Sequence, residues 1–186
     1  TGELQAILKK AGRLENTIIV VSGDNGMPFP HAKANLYDQG TRVPLIIGNF
    51  GGKLPKHKTT ESFVNLLDLM PTFLDIAGVK PPVAIDGTSL MPILKGDMKN
   101  LKDEVYLERE RHCLARLDSG MYAGYPMRAV RTKDYLYIVN FRPDRTPAGD
   151  ETIPHTTSFY GDVDGGPTKA LMTDNKDNPK IKYYFD

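Results

Sequence analysis

At 186 residues the chain is long enough for one full domain core or for two small ones sharing an interface. Its 25% charged and 40% apolar residues argue for an ordinary globular protein rather than a disordered or membrane-embedded one, and a net charge of +1 supplies no field for nucleic acid or another polyanion. No run approaches the roughly 18 apolar residues of a spanning helix, the opening lacks a signal peptide's apolar core, and Cys113, the only cysteine, excludes an internal disulfide and a multi-thiolate metal site.

The first predicted element is an amphipathic helix over Gly2 to Ala11, with Leu4, Ile7, Leu8 and Ala11 at helical spacing, Lys9 and Lys10 in the last turn and Gly12 as a stop. Thr17 to Ser22 is a β-branched run ending at G-D-N-G, which predicts a strand buried on both faces of a parallel sheet. Val43 to Ile47 predicts a second strand of that sheet. From Thr60 a helical stripe of Phe63, Leu66, Leu67 and Met70 leads to Pro71, which opens a second helix, Thr72 to Ala77, stopped by Gly78. D-G-T-S-L-M-P-I-L-K-G then reads as a loop with a short helical turn, and the polar stretch Asp97 to Asp103 as a subdomain boundary. Val105 to Glu108, Met127 to Arg131 and Tyr135 to Phe141 read as strands of an antiparallel meander, and the segment from Arg142 onward as an irregular tail.

In an open α/β sheet, ligands sit beyond the carboxyl ends of the strands, where Asp24 and Asn25 lie. A carboxylate beside an amide carbonyl offers the hard oxygens that Ca²⁺ or Mg²⁺ prefers, although D-N-G is also a common turn. Lys33 follows nine residues after Asp24, and by itself it reads as a solvated loop lysine. The chain then returns through Gly40 and Arg42 to a strand.

This stretch, M-P-F-P-H-A-K-A-N-L-Y-D-Q-G-T-R-V-P-L-I-I behind D-N-G, resembles the type I sulfatases of the alkaline phosphatase superfamily. The resemblance continues through V-N-L-L-D-L-M-P-T-F-L-D-I-A-G at Val64 to Gly78 and D-G-T-S-L at Asp86 to Leu90, and covers roughly Gly2 to Arg145. E-R-H at Glu110 to His112, G-Y-P-M-R-A-V-R at Gly124 to Arg131 and the P-F-P resemble the heparan N-sulfatase (sulfamidase) branch. It implies that Asp24 and Asn25 are metal ligands for Ca²⁺ (or Mg²⁺) and that Lys33 is the catalytic contact to the sulfate group. The apolar residues of Val64 to Gly78 are expected in the core. His112, Arg128 and His31 are candidate substrate contacts, because imidazole and guanidinium bind the hydroxyls and anions of a sulfated sugar. A solvated histidine, and an arginine paired to a carboxylate on the next strand, are the simpler readings of His112 and Arg128.

The implied fold is the C-terminal part of an alkaline-phosphatase-like α/β domain, residues 1–97, followed by a small antiparallel-sheet (α+β) subdomain, residues 98–186. The implied function is hydrolysis of sulfate esters or sulfamates in glycosaminoglycan degradation, by formylglycine- and calcium-dependent chemistry. The formylglycine pattern C/S-x-P/A-x-R is not in this sequence: C-L-A-R-L at Cys113 puts its arginine one residue early. The chain is therefore expected to be a fragment, inactive alone and prone to self-association. Its expected partners are a sulfated saccharide and the N-terminal half of the same enzyme, and the family implies an extracytoplasmic setting: periplasmic, secreted or lysosomal. Two other functions fit the residues, a phosphate or phosphonate monoester hydrolase of the same superfamily and a non-catalytic module binding sulfated glycans.

Overall fold

A computed structural model describes residues 2–49, 51–52, 54–55, 58–153 and 159–185. In chain order the elements are α1 (Gly2–Lys10), β1 (Ile18–Ser22), α2 (Asp38–Thr41), β2 (Leu45–Asn49), α3 (Leu69–Ala77), α4 (Met91–Lys95), β3 (Glu104–Arg109), β4 (Leu117–Asp118), β5 (Met121–Tyr122), β6 (Met127–Thr132), β7 (Leu136–Asn140), α5 (Pro167–Asp174) and α6 (Pro179–Lys182). They form two compact units, one of residues 1–21 and 45–105, the other of residues 22–44 and 106–186. The sequence had suggested a division into 1–97 and 98–186. By compactness the segment after β1 belongs with the second half of the chain, and the polar stretch before β3 ends the first unit.

In the first unit β1 pairs with β2. β1 is half-buried along its first three residues and exposed over its last two, so it is not sealed on both faces. The helical stripe expected from Thr60 starts later. Residues 60–65 are not helical, a 3₁₀ turn spans Leu66–Asp68, and α3 follows with Pro71 as its third residue, where a missing N–H costs nothing. The start is fixed by a reciprocal cap in which Asn65 Oδ1 accepts the Leu67 N–H at 3.0 Å while Asp68 Oδ2 accepts the Asn65 N–H at 2.8 Å. Gly78, with φ of 68°, ends the helix in the left-handed region that glycine enters without strain.

One expectation fails here. Leu66, Leu67, Met70, Phe73 and Ile76 are exposed rather than core, so the apolar stripe of this helix faces outward. Buried instead are Asp68 and Thr72. Asp68 accepts the Thr88 N–H and Lys102 Nζ, and Thr72 donates to the Asp68 carbonyl and accepts the Leu90 N–H at 2.8 Å.

The second unit holds a three-stranded sheet in the order β3-β6-β7, with β6 and β7 antiparallel and Ala129 opposite Ile138. Met127 and Ala129, alternate residues of β6, join Leu36 and Tyr125 in a buried cluster against Leu107, Leu136 and Ile138. The tail is less irregular than its composition suggested. Pro167 and Pro179 each open a helix, a position that suits proline's fixed φ, so the same residue that reads as a breaker acts as a starter. No helix among the described residues is long and apolar enough to cross a membrane.

Candidate functional site

All the residues singled out by sequence belong to the second unit. Asp24 and Asn25 lie exposed on the loop directly after β1, where Asp24 Oδ1 accepts the Asn25 N–H at 3.0 Å and Asn25 Nδ2 donates to the Gly26 carbonyl at 3.0 Å. These bonds engage one Asp24 oxygen and the Asn25 amide nitrogen. Gly26 allows the loop to close. A Cβ there would stand 2.2 Å from the Gln39 carbonyl oxygen, and one at Gly40 would meet the Ala32 oxygen at 2.2 Å, so both positions exclude side chains.

Lys33 sits on the next turn, held by its N–H donating to the Met27 carbonyl at 2.9 Å. His31 and Ala34 flank it with φ of 58° and 63°. Two non-glycine residues in the left-handed region store strain of roughly 1–3 kcal/mol each, tolerated where the surroundings fix the backbone. Those surroundings are the buried Ala32 and Leu36, and α2, whose Asp38 takes a bidentate pair of hydrogen bonds from Arg131 of β6 at 2.9 and 3.1 Å. The Lys33 ammonium donates to Asp164 Oδ2 at 2.8 Å, with both side chains about two-thirds buried (29% and 35% exposed).

His31 does not reach toward open solvent. Its ring stacks on Tyr37 at 4.9 Å and meets Tyr183 edge-on at 5.3 Å and Tyr184 at 5.0 Å. Burial pushes its pKa down, which keeps the ring neutral. Arg128 pairs with Glu110 and, at 3.5 Å, with Glu108, so it adopts the simpler reading of a surface ion pair.

His112 and Cys113 belong to a different assembly. Asp162, almost wholly buried, accepts hydrogen bonds from Arg109 and Arg116, lies 3.3 Å from His112 Nδ1 and takes the Cys113 thiol at 3.3 Å. Arg116, itself buried, also donates to the Thr146 carbonyl at 2.8 Å and the Pro147 carbonyl at 2.6 Å. Both guanidiniums lie over the Tyr125 ring, at 5.3 and 4.6 Å. Burial, reinforced by the Asp162 charge, pushes the Cys113 thiol up to about 12. A thiol so disfavoured as thiolate is a poor nucleophile and a poor metal ligand, and two guanidiniums beside Asp162 oppose a cation.

Sequence reasoning missed Asp162, Asp164, Arg109 and Lys169, and met Arg116 only as a neighbour of Cys113. Lys169 is buried in α5 and donates to the carbonyls of Tyr160 at 2.9 Å and Val163 at 2.7 Å. The signal available was G-D-V-D-G-G at Gly161 to Gly166, two acids among glycines in a stretch that looked like plain loop.

The family model of the N-sulphoglucosamine sulphohydrolase C-terminal region matches residues 29–145. The chain belongs to the type I sulfatases. Its relatives include an ulvan-active sulfatase of Formosa agariphila, 37% identical over 74% of this chain and 21% of the relative. The human N-sulphoglucosamine sulphohydrolase is 31% identical over 72% of this chain and 26% of its own length. This sulfatase chain thus spans about a quarter of the curated relatives it matches. A solved structure in complex with its substrate D-glucosamine-2-N,6-O-disulfate superposes with a TM-score of 0.59 at 28% identity, over 77% of this chain and 31% of that one. A phosphonate monoester hydrolase of Agrobacterium radiobacter shares the fold at a TM-score of 0.59 and 22% identity, over 75% of this chain and 30% of that one. The expected alkaline-phosphatase-like fold class and the sulfatase relationship both hold.

Proposed function

We propose that the chain supplies one side of the active site of a hydrolase acting on sulfate esters or sulfamates of sulfated glycans, N-sulfoglucosamine units among them. The observation that carries this reading is Lys33. It is a half-buried ammonium on a strained loop anchored to the β3-β6-β7 sheet, in the segment that begins with Asp24 and Asn25. A fixed cation at the mouth of a loop suits the non-bridging oxygens of a sulfate group, which gain negative charge as the bond to the leaving atom breaks.

Asp24 and Asn25 fit a Ca²⁺ or Mg²⁺ ion by donor type and exposure, but they are two ligands of the six to eight that Ca²⁺ takes. Bound there, the cation would supply further charge stabilisation. This chain's own part is to hold Lys33 and the two oxygen donors. On this reading the covalent nucleophile comes from outside this sequence, which lacks the formylglycine pattern and in which burial and Asp162 disfavour the Cys113 thiolate. Its partners on this reading are a sulfated saccharide and the segment of the enzyme bearing the nucleophile. The exposed apolar stripe on α3 favours self-association when the chain stands alone.

Two measurements on the chain test the proposal. Methyl sulfate titrated into the ¹⁵N-labelled protein is expected to shift the Lys33 side-chain resonance, and Lys33→Ala to leave the remaining loop amides silent. With aryl sulfate or N-sulfoglucosamine and added Ca²⁺, no turnover above background is expected. A chain indifferent to methyl sulfate at Lys33, or turning over substrate alone and losing that activity in Cys113→Ala, would sink it.

A further inference from the structure

We propose that Asp164 is a specificity-determining residue of the Lys33 site, selecting singly charged sulfate groups over doubly charged phosphate monoesters. The proposal rests on the reading of Lys33 as an anion contact and adds to it a residue outside the matched family region, which ends at 145.

Three observations converge on Asp164. The first is its position, with Oδ2 at 2.8 Å from Lys33 Nζ, across 131 residues of sequence. The second is that the segment bearing it is built rather than loose. The Tyr160 N–H donates to the Asp150 carbonyl at 3.3 Å and the Asp162 N–H to the Ala148 carbonyl at 3.0 Å. Buried Lys169 ties the Tyr160 and Val163 carbonyls, and the Asp162 side chain is gripped by Arg109 and Arg116. Tyr160, Asp162 and Val163 thus each carry an anchor, the Gly161 carbonyl accepts the Cys113 thiol at 3.2 Å, and Asp164 is the next residue. The third is exposure. About a third of each side chain of the pair remains accessible, so an arriving anion can reach the ammonium without unfolding the segment.

The electrostatic consequence follows from charge. Lys33 with Asp164 is a neutral pair, and an anion that shares the ammonium must sit close to the carboxylate. A sulfate ester or sulfamate carries one negative charge. A phosphate monoester carries close to two above its second pKa of about 6. At about 5 Å even water-like screening makes each additional unit of like charge worth roughly a fourfold loss of affinity, and a partly buried site more. Asp164 therefore penalises the dianion by that factor beyond the monoanion. The Lys169 ammonium lies behind the same segment, where it donates to the Tyr160 and Val163 carbonyls; its charge is the same in the unaltered chain and in an Asp164 variant, so it cancels when the two are compared.

The test uses the intact chain at pH 8, following the Lys33 side-chain resonance through titrations with methyl sulfate and methyl phosphate. The ratio of methyl sulfate to methyl phosphate affinity in the unaltered chain is the reference preference. Asp164→Asn, which keeps the shape and removes the charge, should tighten both, methyl phosphate by about fourfold more, so that the preference narrows or reverses. Asp164→Glu should restore it. Equal changes for the two anions in Asp164→Asn, or weaker binding of both, would overturn the proposal while leaving Lys33 as an anion contact. Silence of Lys33 toward both anions in every variant would overturn the Lys33 reading and this inference with it.

Discussion

Among the described residues each unit buries one carboxylate, and the two are satisfied in different ways. Asp68 in the first unit is fully buried and organises backbone: it accepts the N–H groups of Asn65 and Thr88 at 2.8 Å each and one ammonium, Lys102, that is itself partly exposed. Asp162 in the second unit organises charge. It receives two buried guanidiniums, so removing it strands positive charge where water cannot reach. Arg109 is already under-satisfied, because its Nε and Nη1 are buried without a partner among the described residues. The lesson is that the first carboxylate shapes a helix start, whereas the second welds the Arg109 end of β3, the Arg116 segment and the tail into one body.

The sharpest way to break this comparison is to delete both carboxylates in turn. Asp162→Ala is expected to cost about 4 kcal/mol, the range for breaking a buried ion pair and leaving its partner unpaired, and to loosen the Tyr160 to Asp164 segment. Urea unfolding followed by tyrosine fluorescence reads the loss, and a cost under about 1 kcal/mol would show that the guanidiniums find other partners. Acid sharpens the same point. Burial alone would push the Asp162 carboxyl up, but the Arg109 and Arg116 charges outweigh it and hold it below the usual range. Its contribution is therefore complete above the unfolded value of about 3.9 and is lost as pH falls through the lower folded value. Asp68 behaves likewise, with burial opposed by Lys102 and the Thr88 and Asn65 N–H groups. The chain should hold its stability down to about pH 4 and lose it below, and Asp162→Asn should flatten that acid limb.

Cys113 tests the charge balance around Asp162 from the other side. With its thiol held near 12 by burial and by Asp162, the thiolate fraction at pH 8 is on the order of a thousandfold below that of an ordinary cysteine. Iodoacetamide should label the folded chain about a thousand times more slowly than the urea-unfolded one. Comparable rates would mean that the thiol does not face Asp162 in solution.

How much of this was legible in the sequence divides along the same line. Asp24, Asn25 and Lys33 fall within ten consecutive residues, so a short-range pattern singles them out, and the Asn65 to Gly78 stretch carries its cap and stop locally, so short-range pattern sufficed for that helix. The exposure of the α3 stripe was not legible, since periodicity says which residues share a face and not what covers it. Nor was the Asp162 cluster, whose partners stand 46 and 53 residues away and whose arginines look like any surface cations. Asp164 was hidden for the same reason: G-D-V-D-G-G marks two acids among glycines, but the partner Lys33 lies 131 residues away.

Deleting the other carboxylate should cost less. Asp68→Ala removes two backbone acceptor contacts and the Lys102 pair, but Lys102 can turn to water, so about 2 kcal/mol is expected rather than 4. Thermal melts of the two variants side by side would invert the comparison if Asp68→Ala proved the worse.

The smallest effect is expected where both partners are wet. Arg128 is ion-paired to Glu110 and Glu108 like the buried arginines to Asp162, yet it is 43% exposed and its acids are 65% and 74% exposed. Screening by water and the entropy of ordering three long side chains leave such pairs with little net worth, so Arg128→Ala should cost under about 1 kcal/mol. Its guanidinium also lies 5.9 Å from the Phe141 ring centre, a contact that adds a few tenths at an exposed site. This near-silence makes the variant informative about function. Because the fold does not need Arg128, any fall in affinity for a sulfated glucosamine in Arg128→Ala reports a substrate contact directly, read by titration against the unaltered chain at equal stability. Unchanged affinity would return Arg128 to the surface pair that its two glutamates describe.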